Sequence, residues 1–180
     1  MARMKFFVDT NRCISCFGCQ VACSSAHELP VGIYRRKVIT LHDGIEGKEV
    51  STTIACQHCT DAPCEQVCPV DCFYIRADGI VLHDKHKCIG CGYCLMACPY
   101  GSITKGKDGK AQKCNLCAEK LERGEEPACV AGCPCGVLKL VDSNVSDSAG
   151  MQKEMPGFKH FFTKPNIRFY PRMKRNEFIH

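Results

Sequence analysis

The chain has 180 residues, enough for one domain or two small ones and too few for an additional large catalytic domain. Eighteen residues are cysteine, a density found where covalent or metal cross-links supplement a thin hydrophobic core, so disulfides or metals are expected to hold the fold. The formal charge of +5 arises from basic residues interleaved with the cysteines, such as Lys87 and Lys113, rather than from a basic run on one face, which argues against a nucleic-acid-binding surface.

Residues 1–9 (MARMKFFVD) hold no apolar stretch of signal-peptide length and no cleavage site, and no twin-arginine pair precedes an apolar run. Eighteen apolar residues never run together, so no membrane span is expected and the chain is read as soluble and reductively housed. Residues 5–9 are predicted to form a half-buried strand. Cys13, Cys16, Cys19 and Cys23 follow. Two β-branched-rich runs, 33–41 and 48–54, flank Asp43-Gly44 and Gly47 and predict a hairpin. Cys56, Cys59, Cys64 and Cys68 form the next group, with its middle gap widened to four residues. Residues 79–83 (GIVLH) read as a second half-buried strand. After it come Cys88, Cys91, Cys94 and Cys98, then Cys114, Cys117, Cys129 and Cys133, with eleven residues between Cys117 and Cys129. Residues 137–141 (VLKLV) close the last group as a strand, and short helices are expected after Cys16, Cys64, Cys94 and Cys117.

Sixteen of the eighteen cysteines thus fall into four groups of four, three closely spaced and one further on. A 4Fe–4S cubane presents iron at its corners, and a loop with cysteine at every third residue reaches three of them. The fourth corner faces away and takes a cysteine from a distant run, as in two-cluster ferredoxins, whose spacing the Cys88 run reproduces. Proline at 69, 99 and 134 follows that remote cysteine and stops the helix; the first group has Ser24 there. Gly18, Gly90 and Gly92 are expected to let backbone N–H groups approach the cluster sulfurs, and Ile14, Val67 and Ile89 to shield them. Structural zinc has no use for a third equally spaced cysteine and a remote Cys-Pro, and a C-x2-C-x2-C run bridges poorly as disulfides. Four clusters of about −2 each would bring the holoprotein to about −3, so the basic residues read as countercharge.

The second and third groups repeat at a period of 32, Cys56 to Cys88. They read as one inner module, residues 53–105, which leaves the first and fourth groups to pair around it as an outer module, 1–32 plus 106–142. The fold class is α+β: two interleaved bacterial-ferredoxin-like modules with an inserted β-hairpin at 33–54, together a polyferredoxin core at 1–142. Residues 143–180 are read as an extended C-terminal tail. Its last thirty residues carry five phenylalanines and three prolines, and the reading is a docking extension that packs on the core and on a partner.

With the four groups in place, the chain resembles the iron–sulfur electron-transfer subunits of molybdenum and tungsten oxidoreductases, such as dimethyl sulfoxide, polysulfide and nitrate reductases and formate dehydrogenases. The resemblance is carried by NRCISCFGCQVAC, ACQHCTDAPCEQVCP, KCIGCGYCLMACPYG and QKCNLCAEKLERGEEPACVAGCP, much of residues 11–136. It implies four 4Fe–4S clusters in a linear wire. One takes Cys13, Cys16, Cys19 and Cys133 and another Cys114, Cys117, Cys129 and Cys23; the inner two take Cys56, Cys59 and Cys64 with Cys98, and Cys88, Cys91 and Cys94 with Cys68. It further implies a molybdenum- or tungsten-pterin catalytic subunit as partner, an aldehyde oxidoreductase included, with an external electron carrier or flavin subunit at the other end. The expected location is cytoplasmic, or exported when attached to a signal-bearing partner.

Cys72 and Cys135 are left over and could be spare ligands, redox thiols or small buried side chains. His58 would give its loop a surplus donor, so it is expected to hydrogen-bond or to lie at the surface. Phe17, Tyr93 and Tyr100 are expected to exclude water. No dinucleotide or phosphate loop, nucleophile elbow or radical-enzyme cysteine run occurs, so the chain is read as non-catalytic. Two other functions fit the same cysteines: an adaptor of carbon monoxide dehydrogenase or hydrogenase, and a non-redox iron–sulfur scaffold or sensor.

Overall fold

A computed structural model describes residues 4–41, 49–142, 151–155, 158–159 and 162–171. It is a small mixed α/β structure of short helices and small sheets. Strand β1 (Met4–Val8) leads through a 3-10 turn at Thr10–Arg12 to helix α1 (Gly18–Ala26). An antiparallel hairpin follows, β2 (Arg36–Leu41) against β3 (Val50–Ala55), with the pairing running from Arg36 opposite Ala55 to Leu41 opposite Val50. The expected Asp43-Gly44 turn lies outside the described residues. Helix α2 (Pro63–Gln66), strands β4 (Phe73–Ile75) and β5 (Val81–His83) and helix α3 (Tyr93–Ala97) come next. Then follow the short pair β6 (Thr104–Lys105) and β7 (Ala111–Gln112), helices α4 (Ala118–Glu122) and α5 (Ala128–Ala131), and strands β8 (Leu138–Asp142) and β9 (Ile167–Phe169).

The strand expected at 5–9 is more deeply placed than half-buried. It is the middle of a three-stranded sheet ordered β8-β1-β9, antiparallel to β8 and parallel to β9. Phe6, Phe7 and Val8 are all buried, because the Phe6 face meets the Arg36 guanidinium and the Phe7 face meets Tyr170 edge-on. A continuous apolar run is what a strand covered on both faces needs. The helices expected after Cys64 and Cys94 instead contain those cysteines: Pro63 starts α2, where its fixed φ suits the first turn and its missing N–H costs nothing, and Gly92 caps α3 at φ +85°. The prolines act as expected, since α2, α3 and α5 all stop before Cys68-Pro69, Cys98-Pro99 and Cys133-Pro134. In α1, where Ser24 replaces the proline, the helix runs through to Ala26.

Two large buried apolar clusters, with a small third of Ala55, Cys56 and Cys114, hold the described chain. One joins Phe6, Val8, Leu116, Leu138, Ile167 and Phe169 with Cys19, Cys23 and Cys129; the other joins Phe73, Val81 and Ile103 with Cys59, Cys64, Cys88 and Cys94. The described tail is built into the first. Phe158 stacks on Tyr100, with ring centroids 5.2 Å apart, and meets Phe169 edge-on at 5.1 Å. The tail also closes over the 56–64 loop: Thr60 and Asp61 donate backbone N–H bonds to the carbonyls of Lys164 and Thr163, and Asn166 donates to Gln57. A chain without partners would keep this arm for its own core, so the arm does not by itself separate a subunit from a free carrier.

Candidate metal centres

Each cysteine run opens on the same backbone device. The residue two places after the first cysteine has a positive φ in all four: Ser15 at 55°, His58 at 43°, Gly90 at 73° and Leu116 at 58°. That conformation turns the loop back on itself and aims the residue's N–H at the first sulfur. His58 N donates to Cys56 Sγ at 3.5 Å, Leu116 N to Cys114 Sγ at 3.3 Å, and Ser15 N to Cys13. For non-glycine residues the left-handed region costs about 1–2 kcal/mol each, and it recurs here because the loop must present N–H groups to an anion. The remote cysteines have their own version, from four residues on: Cys72 N donates to Cys68 Sγ at 3.4 Å and Val137 N to Cys133 Sγ at 3.3 Å.

Glycine has two separate reasons in these loops. A Cβ at Gly90 would sit 2.6 Å from the Gly109 carbonyl oxygen, whereas one at Gly92 meets nothing within 4 Å. Gly90→Ala is therefore expected to cost about 2–5 kcal/mol, strain plus overpacking, and Gly92→Ala only the strain of about 1–2 kcal/mol. Urea unfolding of the two variants checks the difference. Gly18 approaches both the Gly132 carbonyl and a sulfur: a Cβ there would sit 2.9 Å from that oxygen and 3.6 Å from Cys16 Sγ.

The structure brings the sixteen cysteines into four groups. Cys13, Cys16, Cys19 and Cys133 line one cavity with Ile14 and Val137. Cys56, Cys59, Cys64 and Cys98 line a second with Ala62, Val81 and Ile103. Cys68, Cys88, Cys91 and Cys94 line a third with Phe73, Leu95 and Ala111. Cys23, Cys114, Cys117 and Cys129 are all buried, and Cys23, pushed up to about 12 first by burial, is raised further by Cys114, Cys129 and Cys117. Burial likewise pushes Cys59 and Cys64 up to about 12 and Cys129 to about 11. Bare thiols here stay neutral; a metal must displace their protons to bind. Cys68 is lowered instead: burial raises it, but N–H bonds from Cys72, Val70 and Phe73 outweigh that. Sulfur donors converging on otherwise apolar cavities, with N–H groups aimed at the sulfurs, fit an iron–sulfur cluster in each group.

Exposure differs between groups. Cys16 and Cys91 are exposed, while every cysteine of the Cys23 group and all but Cys98 of the Cys56 group are buried. Ile14, Phe17 and Ile89 line cavities yet are exposed, so they rim the cavity mouths rather than sealing them; Tyr93 is exposed and lines none of these cavities. Val67 is also exposed and lines none of these cavities, but Tyr100 is covered by the tail and its hydroxyl bonds Thr163 at 2.8 Å.

Cys72 is buried, 3.2 Å from Cys68 Sγ, and lies with His83 and Cys88 so that their ligand atoms are within 4.8 Å of one another. Cys135 lines the Cys13 cavity. Each is thus a fifth thiol beside four. Cys72→Ala and Cys135→Ala are expected to leave iron content unchanged by metal analysis, because four other cysteines converge on the same cavity in each case; loss of about four irons per chain would show otherwise. His58 hydrogen-bonds, as expected, but in the interior: it is 2% exposed and its Nδ1 accepts from Val81 N at 3.1 Å. Cysteine spacing gave no sign of Arg36, Thr53, His27 and Thr163. His27 Nε2 lies 3.3 Å from Cys117 Sγ, Thr53 Oγ1 lies 3.4 Å from Cys19 Sγ, and Arg36 Nη1 donates to that same Thr53 oxygen at 3.2 Å.

The 4Fe-4S dicluster domain family matches residues 49–143. The chain is 52% identical to the formate dehydrogenase iron-sulfur subunit of Wolinella succinogenes, over 79% of this chain and 83% of that protein. It is 39% identical to the thiosulfate reductase electron transfer subunit of Salmonella typhi, over 82% of this chain and 81% of that one. Against a component of the anaerobic dimethyl sulfoxide reductase of Escherichia coli it is 33% identical, over 92% of this chain and 87% of that protein.

Proposed function

We infer the role of this chain from one premise: it belongs to the family of 4Fe–4S iron–sulfur subunits that transfer electrons in oxidoreductase complexes. The proposal is a wire of four 4Fe–4S clusters on the sixteen cysteines, allocated as the resemblance implies. One observation carries it: four sulfur groups, two of them almost wholly buried and two each with one exposed cysteine. Buried groups suit the middle of a wire and half-open ones its ends. The neighbour relations agree with the order Cys13 group, Cys23 group, Cys56 group, Cys88 group. Arg36 faces Cys19 and Cys129, Cys114 packs with Cys56, and α2 contacts α3. The two apolar clusters, one holding cysteines of the outer runs and the other those of the inner runs, support interleaved outer and inner modules with the boundaries given above.

When bound, the clusters supply one-electron chemistry; the chain's residues hold them and control access. The N–H groups of Ser15, His58 and Leu116 stabilise thiolate charge, and the tail closes the Cys56 loop against water. The exposed apolar rims, Ile14, Phe17 and Val21 at one end and Ile89, Tyr93 and Met96 at the other, are where partners would dock and complete the seal. One partner is a molybdenum- or tungsten-pterin catalytic subunit, of which the formate dehydrogenase type is best supported by the 52% identity; the other is an external carrier or flavin subunit. Substrate chemistry belongs to the catalytic partner, and this chain is non-catalytic. No described helix is long and apolar enough to cross a membrane, and a cytoplasmic complex is proposed. Native anaerobic purification with metal analysis tests the reading. It expects about sixteen irons per chain together with molybdenum or tungsten, and reversible reduction of the clusters; clusters that cannot be reduced at physiological potentials would leave only a scaffold.

A further inference from the structure

Three cations are buried among the described residues: Arg168, which donates to the carbonyls of Pro165 and Ile167, and Arg36 and Lys113, which face cysteines with no described carboxylate to pair them. Arg36 is 2% exposed and Lys113 is 4% exposed. Burying an unpaired charge is prohibitive unless something anionic stands beside it. Arg36 Nη1 donates to Thr53 Oγ1 at 3.2 Å, and the same oxygen lies 3.4 Å from Cys19 Sγ. The guanidinium also hydrogen-bonds Cys129 and faces Cys114 and Cys23. Arg36 therefore stands between the Cys13 group and the Cys23 group. Lys113 Nζ donates to the carbonyls of Val81 and Cys114 and faces Cys56 and Cys64, which places it between the Cys23 and Cys56 groups. No described buried cation stands between the Cys56 and Cys88 groups.

These positions coincide with burial. Adding one electron to a cluster takes its total charge, thiolates included, from about −2 to about −3 with no proton taken up. Burial penalises the more highly charged form, so the two buried clusters would be the hardest to reduce and would block a wire whose ends are half-open. A fixed cation favours the added electron. We propose that Arg36 and Lys113 are potential-setting residues, buried countercharges that keep the two interior clusters reducible so that an electron can cross between the exposed ends. The Cys23-group cluster, flanked by both, depends on them most. Thr53 is the positioning link: its oxygen accepts from Arg36, which frees its O–H to donate to the Cys19 thiolate.

The inference rests on the proposed ligand allocation, and the test separates the two. Arg36→Gln, Lys113→Met and the double variant are purified as the native complex. Iron is counted, and the complex is reduced stepwise with dithionite under electron paramagnetic resonance. With iron unchanged, each single variant is expected to lower two of the four reduction equilibria by at least tenfold, which is 59 mV for one electron. The double variant lowers three, the shared one most. Arg36→Lys restores the charge and the potentials, and the exposed control Arg123→Gln leaves all four within tenfold. Thr53→Val, which removes the hydroxyl but conserves volume, lowers the Cys13-group step alone. Unmoved potentials at full iron content overturn the inference and leave the wire standing, as does an equal shift of all four. Iron loss in Arg36→Gln that Arg36→Lys also shows assigns Arg36 a structural role and overturns it too. Iron far from sixteen per chain in the parent protein defeats the ligand allocation itself.

Discussion

Phe169→Ala is expected to cost about 3–5 kcal/mol, a large part of the about 5–15 kcal/mol that holds a domain of this kind. The ring is 1% exposed, it pairs through β9 with Val8 at the end of the central strand, and it meets Phe158 edge-on at 5.1 Å. Its neighbours sit in the same cluster as Cys19, Cys23 and Cys129, so they cannot relax into the cavity without moving cysteines. A fall in the urea midpoint of the anaerobic holoprotein reads the loss. Phe162→Ala, in the same segment but 76% exposed, should stay within about 0.5 kcal/mol. The contrast bears on how the tail is tested. Deleting residues 151–180 removes Met155, Phe158, Ile167 and Phe169 from the core and the carbonyls that Thr60 and Asp61 donate to, and the expected result is a chain that does not fold. Partner docking through this arm is better probed with Phe162→Ala, which leaves the core intact and should weaken co-purification if that exposed ring touches a partner.

Cys129→Ala is expected to remove one cluster, about four irons per chain, and to destabilise the fold well beyond that site. Its thiol is 4% exposed in α5, which packs on α1, the helix carrying Cys19 and Cys23. Without a metal there, three buried thiols lose the group that ties them together and the buried Arg36 guanidinium loses one of the two anionic groups it faces, a loss of the several-kcal/mol class that follows breaking a buried ion pair. The parallel experiment is metal removal: because the cysteines of all four groups double as core residues, chelation under reducing conditions should convert the chain from folded to largely unfolded, with far-UV circular dichroism and iron content falling together. Retention of about sixteen irons by Cys129→Ala would remove it from the proposed ligand set. Cys72→Ala, a fifth thiol beside four, provides the comparison at a site where no iron should be lost.

Much of this chemistry was legible in the residue order because a cubane imposes its demands locally. Three ligands must come from one loop, which sets the cysteine spacing, and the chain must then turn away, which puts proline after Cys68, Cys98 and Cys133 and ends α2, α3 and α5 there. The hairpin of β2 and β3 was equally readable, since antiparallel pairing needs only two β-branched runs and a turn. What the spacing could not reveal depends on contacts between distant residues. Ser15, His58 and Leu116 adopt the conformation that Gly90 announces openly, because an anion beside the loop compensates a strain that residue type does not advertise. The strand at 5–9 looked half-buried until β9, some 160 residues later, covered its other side. The basic residues, Lys113 among them, read as countercharge from composition, but only the packing of β2, β3 and the cysteine loops singles out Arg36 and Lys113 as buried cations facing sulfur.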